Sequence, residues 1–219
     1  MRQIAIIGKA CNATEAPVRS DVERWGCNDL FTRLPGAWAF DQWDRWFDVH
    51  TRAHIRRHRP HAWAWYETRG PARPIYLHQI YREIPGSRAY PRQVIQQAFA
   101  WGGQPEELFT SSVDWMLALA IYEQVDAVGL YGIDLSEGEE RTAQRVGAHY
   151  WIGVARGRGI EVIIPDNSSL CKTERLYGYG IPTSARNFDS MSLGRFVGHV
   201  RQARAQQDPA YVAPGRDER

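Results

Sequence analysis

The stretch "TSSVDWMLALAIYEQVDAVGLYGID" (110–134) contains a helix pattern followed directly by a strand pattern. From Ser111 onward, apolar side chains recur at the i, i+3, i+4, i+7 and i+8 spacing of one helix face. These side chains are Val113, Met116, Leu117, Ala120 and Ile121. The segment that follows, "DAVGLYGID" (126–134), is a short apolar run that ends at an acid, as in a strand buried on both faces. The sequence therefore predicts a helix that leads into a buried strand.

Similar short apolar runs occur on either side of this unit, and each is bounded by turn residues. We predict further strands at 4–8, 24–31, 46–49, 74–80 and 160–165. Helical patterns separate several of them, at 92–103 and at about 142–156, whereas 51–74 is helical or irregular. The alternation of strands and helices predicts an α/β fold, namely a Rossmann-like, mainly parallel sheet with helices on both faces.

The composition is that of a globular protein. Of the 219 residues, 43% are hydrophobic and 24% are charged, which is enough apolar material for one sizeable core. We expect a single domain over residues 1–200 with a basic and aromatic insertion around 51–105. The polar, proline-containing end, 201–219, is expected to form a flexible C-terminal tail.

Charge and cysteine content narrow the class of protein. A net charge of +2 permits an anionic ligand without requiring a nucleic acid. Cys11, Cys27 and Cys171 lack a CxxC spacing, which favours reduced thiols in a cytoplasmic protein over a disulfide framework or a zinc site. The N-terminal apolar run is too short for a signal peptide, and no run has membrane-spanning length, so we expect no membrane association.

Polar residues follow the predicted strands at the points where those strands end. In open parallel sheets, ligands bind beyond the carboxyl ends of the strands, near the switch in strand order. The segments at these positions are 8–12, 27–29, 48–50, 110–112 and 132–134. Because few of these residues are apolar, their convergence predicts a ligand site. The glycine turn "GKACNA" is neither a GxGxxG fingerprint nor a Walker loop, and "DLSEGEE" has no clear DxD pattern, so no metal is predicted.

The hydroxyls before the helix have two interpretations. Ser111 and Asp114 have the spacing of a capping box, which by itself explains the helix start. The free amides of a helix N-terminus are also a ready site for phosphate or carboxylate, and Thr110 and Ser112 add hydroxyls there. Asn28 is similarly either a turn former or a ligand contact.

Three residues further along the chain have roles that the sequence leaves open. Asp134 is suited to bonding a loop amide, to holding a ribose hydroxyl, or to acting as a catalytic carboxylate. His149 is either a core or surface histidine of its helix or a second candidate base. Tyr177 is suited either to packing or to stacking on a base or sugar.

The segment "RAHIRRHRPHAWAWY" (52–66) combines basic and aromatic side chains. Arg56, Arg57 and Arg59 with the nearby tryptophans are similar to surfaces that bind phosphates and stack bases. A solvated helix that packs its tryptophans against the core explains the same pattern.

The order of motifs resembles that of the family 42 sialyltransferases. The motifs are the glycine turn after the first strand, "CN" after the second, "TSS" opening a helix, "GID", and a late "IPDNSSL". They are also similar to archaeal 6-hydroxymethylpterin pyrophosphokinase-like proteins and to uncharacterised phage and metagenomic proteins. The resemblance covers roughly residues 4–171, apart from about 45–105. It implies that Asn28 and Ser111 contact a nucleotide-sugar donor, with Gly8 and Asn12 nearby.

The chain also departs from the sialyltransferase pattern. Those enzymes have a tyrosine shortly after "GID", where this chain has Leu135 and Ser136, and no histidine precedes the last strand at the distance of their base. We therefore expect an acid–base group of this chain's own, with Asp134 as the first choice and His149 as the second. The expected substrate-binding residues are Gly8, Asn12, Asn28, Thr110, Ser111, Ser112, Gly132 and Tyr177.

These observations predict a nucleotide-sugar-binding, glycosyltransferase-like enzyme with no tightly bound cofactor. The acceptor is open. A phage-encoded enzyme acting on a modified DNA base is one version, in which Arg56, Arg57 and Arg59 contact DNA. A non-catalytic protein that binds a nucleotide or signal molecule is the alternative. The sequence also leaves open whether the protein forms a homo-oligomer.

Overall fold

The computed structural model describes residues 1–32, 43–69, 71–135 and 139–172. By its internal contacts the chain divides into two units, Met1–Leu170 and Cys171–Arg219. Predicted Tyr177 and the predicted tail 201–219 lie outside the described residues.

The strands are β1 Gln3–Ile7, β2 Val22–Cys27, β3 Arg45–Asp48, β4 Ile75–Leu77, β5 Ser87–Ala89, β6 Ala127–Tyr131 and β7 Glu161–Ile163. The helices are α1 Arg52–His58, α2 Pro60–Glu67, α3 Arg92–Ala98, α4 Ser112–Tyr122 and α5 Glu139–Gly157, with 3-10 turns at Cys11–Glu15 and Leu30–Thr32.

The seven strands form one sheet in the order β5-β4-β3-β2-β1-β6-β7, and all neighbours are parallel. The predicted α/β, Rossmann-like fold is confirmed. The chain first extends the sheet from β1 to β5, and then returns to place β6 on the other side of β1. The strand order therefore switches between β1 and β6, which is the position where open parallel sheets place their ligand crevice.

Two apolar cores cover the two faces of the sheet. Successive side chains of a strand point to opposite faces, so Ile4 and Ile6 join one core, whereas Ala5 and Ile7 join the other. The first core contains α3, α4 and α5, and the second contains α1, α2 and the 3-10 turn Cys11–Glu15. This double burial explains why β1 and β6 appear in the sequence as continuous apolar runs and not as alternating ones.

The predicted strands all correspond to strands of the structure, but β5 was not predicted. Its residues lie between the predicted strand 74–80 and the helical pattern 92–103, where the sequence analysis predicts no strand. β5 has only three residues, of which Ser87 alone is buried. A strand this short at the edge of the sheet carries no apolar run that a pattern search can find. The segment around 51–105 supplies α1, α2 and α3 together with β4 and β5, and these two strands continue the parallel sheet.

Among the described residues, none of the helices combines the length and the apolar composition that a membrane span requires.

Candidate functional site

A cleft of about 780 Å³ lies at the carboxyl ends of β1, β2, β3 and β6. Its lining comes from the loops that follow these strands, from the start of α4, and from single residues of α1, α5 and the junction between α1 and α2. The lining residues with functional groups or glycine backbone are Gly8, Lys9, Asn28, His50, His54, Arg59, Thr110, Ser111, Ser112, Gly132, Asp134 and Gln144. The prediction of a polar edge at the strand ends thus corresponds to a real concavity.

The loops after β1 and β6 touch at the base of this cleft. The amide of Gly8 donates to the Tyr131 carbonyl at 2.7 Å, and the Ala10 amide donates to the Gly132 carbonyl at 2.9 Å. A Cβ at Gly8 would lie 2.3 Å from the Gly132 oxygen, and Gly132 has φ +68°. Both glycines therefore allow the two loops to approach more closely than a side chain would permit.

Asn12 joins the loops after β1 and β6 through a buried side-chain hydrogen bond. Its side chain is 1% exposed, its Oδ1 accepts from the Gly132 amide at 2.6 Å, and its Nδ2 donates to Asn167 Oδ1 at 3.0 Å. Asn12 is not among the residues that line the cleft. The structure thus gives this predicted ligand contact a role in loop geometry.

Ser111 caps α4 in the capping box that the sequence predicts. Its Oγ accepts from the Asp114 amide at 3.3 Å and donates to Asp114 Oδ1 at 2.9 Å. The other carboxylate oxygen, Oδ2, accepts from the amides of Thr110 and Ser111 at 2.6 and 3.0 Å, and from Thr110 Oγ1 at 2.9 Å. Burial raises the pKa of Asp114, against these hydrogen bonds, which lower it. The hydroxyls of Thr110 and Ser111 are therefore used within the protein.

Ser112 and Asn28 face each other across the start of α4. Ser112 Oγ donates to Asn28 Oδ1 at 3.4 Å. Asn28 has φ +54°, a left-handed conformation that asparagine tolerates better than most residues. Its carbonyl accepts from Trp46 Nε1 at 2.9 Å and lies 3.0 Å from the Tyr66 hydroxyl oxygen. The backbone of Asn28 is thus fixed from below, while its side chain lies in the cleft beside the helix N-terminus.

Two cationic side chains line the β1–β3 side of the cleft, and both contact Asp29. Lys9 Nζ donates to Asp29 Oδ1, and Arg59 Nη1 lies 3.7 Å from the same oxygen. Burial opposes ionisation of Asp29, but the Lys9 ammonium and Arg59 together hold its pKa below the usual range. Two positive charges that line the cleft thus share one half-buried carboxylate.

A buried carboxylate lies beneath these cations. Asp48 ends β3, is 0% exposed, and accepts from Tyr66 Oη at 2.8 Å and from Arg59 Nη2 at 3.2 Å. His50 Nδ1 lies 2.7 Å from Asp48 Oδ1. Burial, followed by the Asp48 charge, raises the pKa of Tyr66 well above its usual value, so this phenol stays a donor. The sequence marked 48–50 as a strand end but missed this pairing. Its only sequence signal is a D-x-H spacing, which is too common to be specific.

The basic and aromatic segment separates into two parts. Arg56 and Arg57 are exposed on α1, whereas the Arg59 side chain is only 13% exposed and turns into the cleft. Trp63 and Trp65 are 3% and 8% exposed and pack in the core. The tryptophans of this segment therefore pack against the sheet, as the solvated-helix interpretation expects, and do not form a stacking surface.

The predicted catalytic residues occupy different places. Asp134 lines the cleft, where its Oδ1 accepts from the Ser169 amide at 3.3 Å and its carbonyl accepts from Ser169 Oγ at 3.0 Å. His149 lies on α5 and is not among the cleft-lining residues. Burial, followed by the nearby Arg145 charge, lowers the pKa of His149. Within the described ranges, no group of three or more His, Cys, Asp or Glu side chains is placed to hold a metal ion.

No protein-family model matches the chain, and no curated protein sequence matches it. Similar solved structures include those of the sialyltransferase CstII from Campylobacter jejuni. The complex with cytidine-5'-monophosphate is 13% identical, covers 83% of this chain and 84% of that chain, and has a TM-score of 0.46. The complex with CMP-3FNeuAc is 13% identical with coverage of 84% and 86% and a TM-score of 0.48. The complex with trisaccharide acceptor and CMP is 12% identical, with coverage of 83% and 86% and a TM-score of 0.47.

Proposed function

We propose that the cleft binds a nucleotide sugar and that the protein transfers its glycosyl group to a hydroxyl acceptor. One observation carries the proposal, namely that the N-terminus of α4, Lys9 and Arg59 line the same cleft at the strand-order switch. A helix N-terminus offers free amides and partial positive charge, and Lys9 and Arg59 add cationic donors whose charges Asp29 and Asp48 partly balance. Together they favour a phosphate group next to Asn28 and Ser112.

The remaining walls suit the other parts of such a ligand. Phe109 and Trp115 line the cleft with their rings stacked at 3.6 Å, which gives an apolar surface for a base or sugar. The volume of about 780 Å³ lies within the roughly 300–1,000 Å³ of small-molecule sites. The phosphates would be held by amides, hydroxyls and cations, without a metal in the proposal.

Binding is tested by thermal unfolding of the full chain with CMP, UDP and inorganic phosphate in metal-free buffer. CMP is the first probe because the motifs resemble those of family 42 sialyltransferases. We expect stabilisation that grows with nucleotide concentration, since a ligand that binds only the folded state stabilises by RT ln(1 + [L]/Kd). The Lys9→Gln variant should weaken the shift, and the exposed Arg156→Gln variant on α5 should retain it. Absence of a shift with every nucleotide contradicts the proposal.

Breakdown of the sugar-nucleotide donor distinguishes a glycosyltransferase from a protein that only binds the nucleotide. A glycosyltransferase that binds a sugar nucleotide releases the nucleotide slowly with water as acceptor, whereas a binding protein leaves it intact. Stable CMP-N-acetylneuraminate and UDP-glucose in the presence of demonstrated nucleotide binding would favour the non-catalytic alternative.

A DNA acceptor is the more specific form of the proposal, and the exposed Arg56 and Arg57 support it. Binding to duplex DNA should fall steeply as salt rises, because each neutralised phosphate releases counterions. Replacing both arginines by alanine should reduce the slope by about 1 to 2. The same replacement at Arg156 and Arg158 on α5 is the matched control, and an equal loss in both variants contradicts a DNA-facing role for α1.

A further inference from the structure

His50 and Asp48 form a hydrogen-bonded pair at the edge of the cleft. Asp48 is fully buried at the end of β3, whereas the His50 side chain is 37% exposed and lines the cleft. The pair is held by its surroundings, because Tyr66 Oη and Arg59 Nη2 both donate to Asp48. His50 is therefore fixed through Nδ1, and its half-exposed ring lines the cleft.

The contacts of Nδ1 determine which ring nitrogen carries the proton. Nδ1 lies 2.7 Å from Asp48 Oδ1 and 2.8 Å from Arg59 Nη2, but it has one in-plane position for a single hydrogen bond. An unprotonated Nδ1 would point its lone pair at a buried carboxylate. A proton on Nδ1 removes that repulsion, and Arg59 still donates to Asp48. The Asp48 contact thus favours the neutral tautomer with its proton on Nδ1, and that tautomer leaves Nε2 as an acceptor.

Nε2 is available to a ligand. Across the described part of the chain, the hydrogen bonds of His50 are made by Nδ1 and the backbone amide, and none involves Nε2. The ring of His54 stacks on His50 with centroids 4.7 Å apart and limits its tilt. A cleft-lining histidine that is oriented by a buried carboxylate, and whose second nitrogen makes no hydrogen bond within the described residues, has the arrangement of a general base.

We propose that His50 is the catalytic base of this cleft and that Asp48 is its positioning residue, in place of Asp134. The inference rests on the proposed function. Asp134 already accepts from the Ser169 amide and follows β6, whereas His50 follows β3 on the other side of β1. The two candidates therefore belong to opposite ends of the cleft, and one variant at each end distinguishes them.

The chemical step balances without a further reactant. The acceptor hydroxyl transfers its proton to His50 Nε2 while its oxygen forms a bond to the glycosyl carbon. The bond from that carbon to the phosphate oxygen breaks, its electron pair stays on the phosphate, and the nucleotide leaves. The imidazolium then loses its proton to solvent. With water as acceptor, the same step hydrolyses the donor.

The charges around His50 come from several elements. Asp48 lies below it on β3, His54 lies beside it on α1, and Arg59 approaches from the segment between α1 and α2. Desolvation, followed by the charges of His50 and His58, lowers the pKa of His54, which reduces the positive charge that His54 places beside His50.

The first test reads the tautomer and does not depend on a substrate. Long-range ¹H–¹⁵N spectra of the full chain, with His50→Gln used for assignment, should show neutral His50 protonated on Nδ1. Asp48→Asn should weaken that preference. A parent protein with the His50 proton on Nε2 overturns the proposal, because that nitrogen then has no lone pair for a proton.

The second test measures release of CMP from CMP-N-acetylneuraminate and of UDP from UDP-glucose. His50→Ala should lose about 100-fold or more of the rate, in the range of general acid–base catalysis, with CMP affinity unchanged. Added imidazole should restore part of the rate. His78→Gln, an exposed histidine after β4 that lies outside the cleft, is the matched control and should behave like the parent.

The two proposals fail in different ways. A parent protein that binds no nucleotide contradicts the proposed function. The spectra then still show which ring nitrogen of His50 carries the proton beside Asp48. A parent that binds and releases nucleotide, with His50→Ala near the parent rate and Asp134→Asn inactive, overturns the role of His50 alone. If nucleotide binds but no donor breaks down, an Nε2-protonated His50 still refutes the base.

Discussion

Ser111 and Ser112 are neighbouring serines whose hydroxyls make hydrogen bonds to different partners. Ser111 Oγ is used within the cap of α4, where it both accepts from and donates to Asp114. Ser112 Oγ instead reaches across to the Asn28 side chain at 3.4 Å, in the cleft. At the scale of single residues, the structure thus assigns the cap to Ser111 and places the Ser112 hydroxyl beside the Asn28 side chain at the cleft.

Alanine substitutions separate these two roles. Ser111→Ala should lower the free energy of unfolding by about 1 kcal/mol, the usual loss for an N-cap serine. Ser112→Ala should leave stability within about 0.5 kcal/mol and weaken CMP binding. Denaturant unfolding and calorimetric titration measure the two quantities. Equal stability losses in both variants would refute this division.

Cys27 should be far less reactive than the other thiols. It is buried, and burial raises its pKa from 9.0 to about 12, which lowers the thiolate fraction about 1,000-fold near neutral pH. Cys11 and Cys171 are exposed. Titration of the folded protein with a thiol-specific disulfide reagent should therefore modify two thiols quickly and the third only after unfolding. Rapid modification of all three in the folded state would contradict the burial of Cys27.

At the scale of elements, α5 packs against the start of α4 through a glycine. A Cβ on Gly147 would lie 2.3 Å from Asp114 Oδ2 and 2.4 Å from Thr110 Oγ1. The absence of a side chain at this point therefore lets α5 approach the hydrogen-bonded group that begins α4. The distance between α5 and α4 at this point therefore affects the position of Thr110, which lines the cleft.

Two glycines of the same helix provide a matched comparison. Gly147→Ala should destabilise by about 1–3 kcal/mol, as overpacking does, because the new methyl group displaces Asp114. Gly153 is exposed on α5 with nothing within 4 Å of an added Cβ, so Gly153→Ala should stabilise by about 0.5–1 kcal/mol. Chemical denaturation of both variants measures the difference, and a neutral Gly147→Ala would show that α5 can shift without cost.

Elements with an apolar run or a cap are the ones that the sequence predicts well. α4 has both, since its stripe and its Ser111–Asp114 spacing give its position and its first residue. β5 has neither, because a three-residue edge strand is defined by its pairing with β4 and not by its own composition. The Asp48–His50 pair was missed for a related reason. Its meaning depends on Tyr66 and Arg59, which only the folded chain brings to it.

At the scale of the whole molecule, the cleft depends on how closely the two halves of the sheet meet. Gly8 and Gly132 make that meeting possible, since a Cβ at Gly8 would lie 2.3 Å from the Gly132 oxygen. Asn12 then joins the loops through the Gly132 amide. The strand-order switch is thus both the base of the candidate site and a point of close backbone packing.

Gly8→Ala should affect stability and binding together. The added methyl group must separate the β1 and β6 loops, and we expect a loss of about 1–3 kcal/mol in the free energy of unfolding. We also expect weaker CMP binding. Far-ultraviolet circular dichroism during thermal unfolding measures the first effect, and titration measures the second. A fully stable variant with parental binding would contradict the close contact between the loops.

The central position of β1 also affects how this chain folds while it is being synthesised. β1 pairs with β2 about 20 residues later, but its other neighbour, β6, begins only at Ala127. One edge of an almost wholly apolar strand therefore has no native partner while roughly a hundred further residues are made. Unpaired strand edges are templates for intermolecular association. Chains released before β6 should consequently be bound by holding chaperones, and completion of the sheet should coincide with synthesis of the second half.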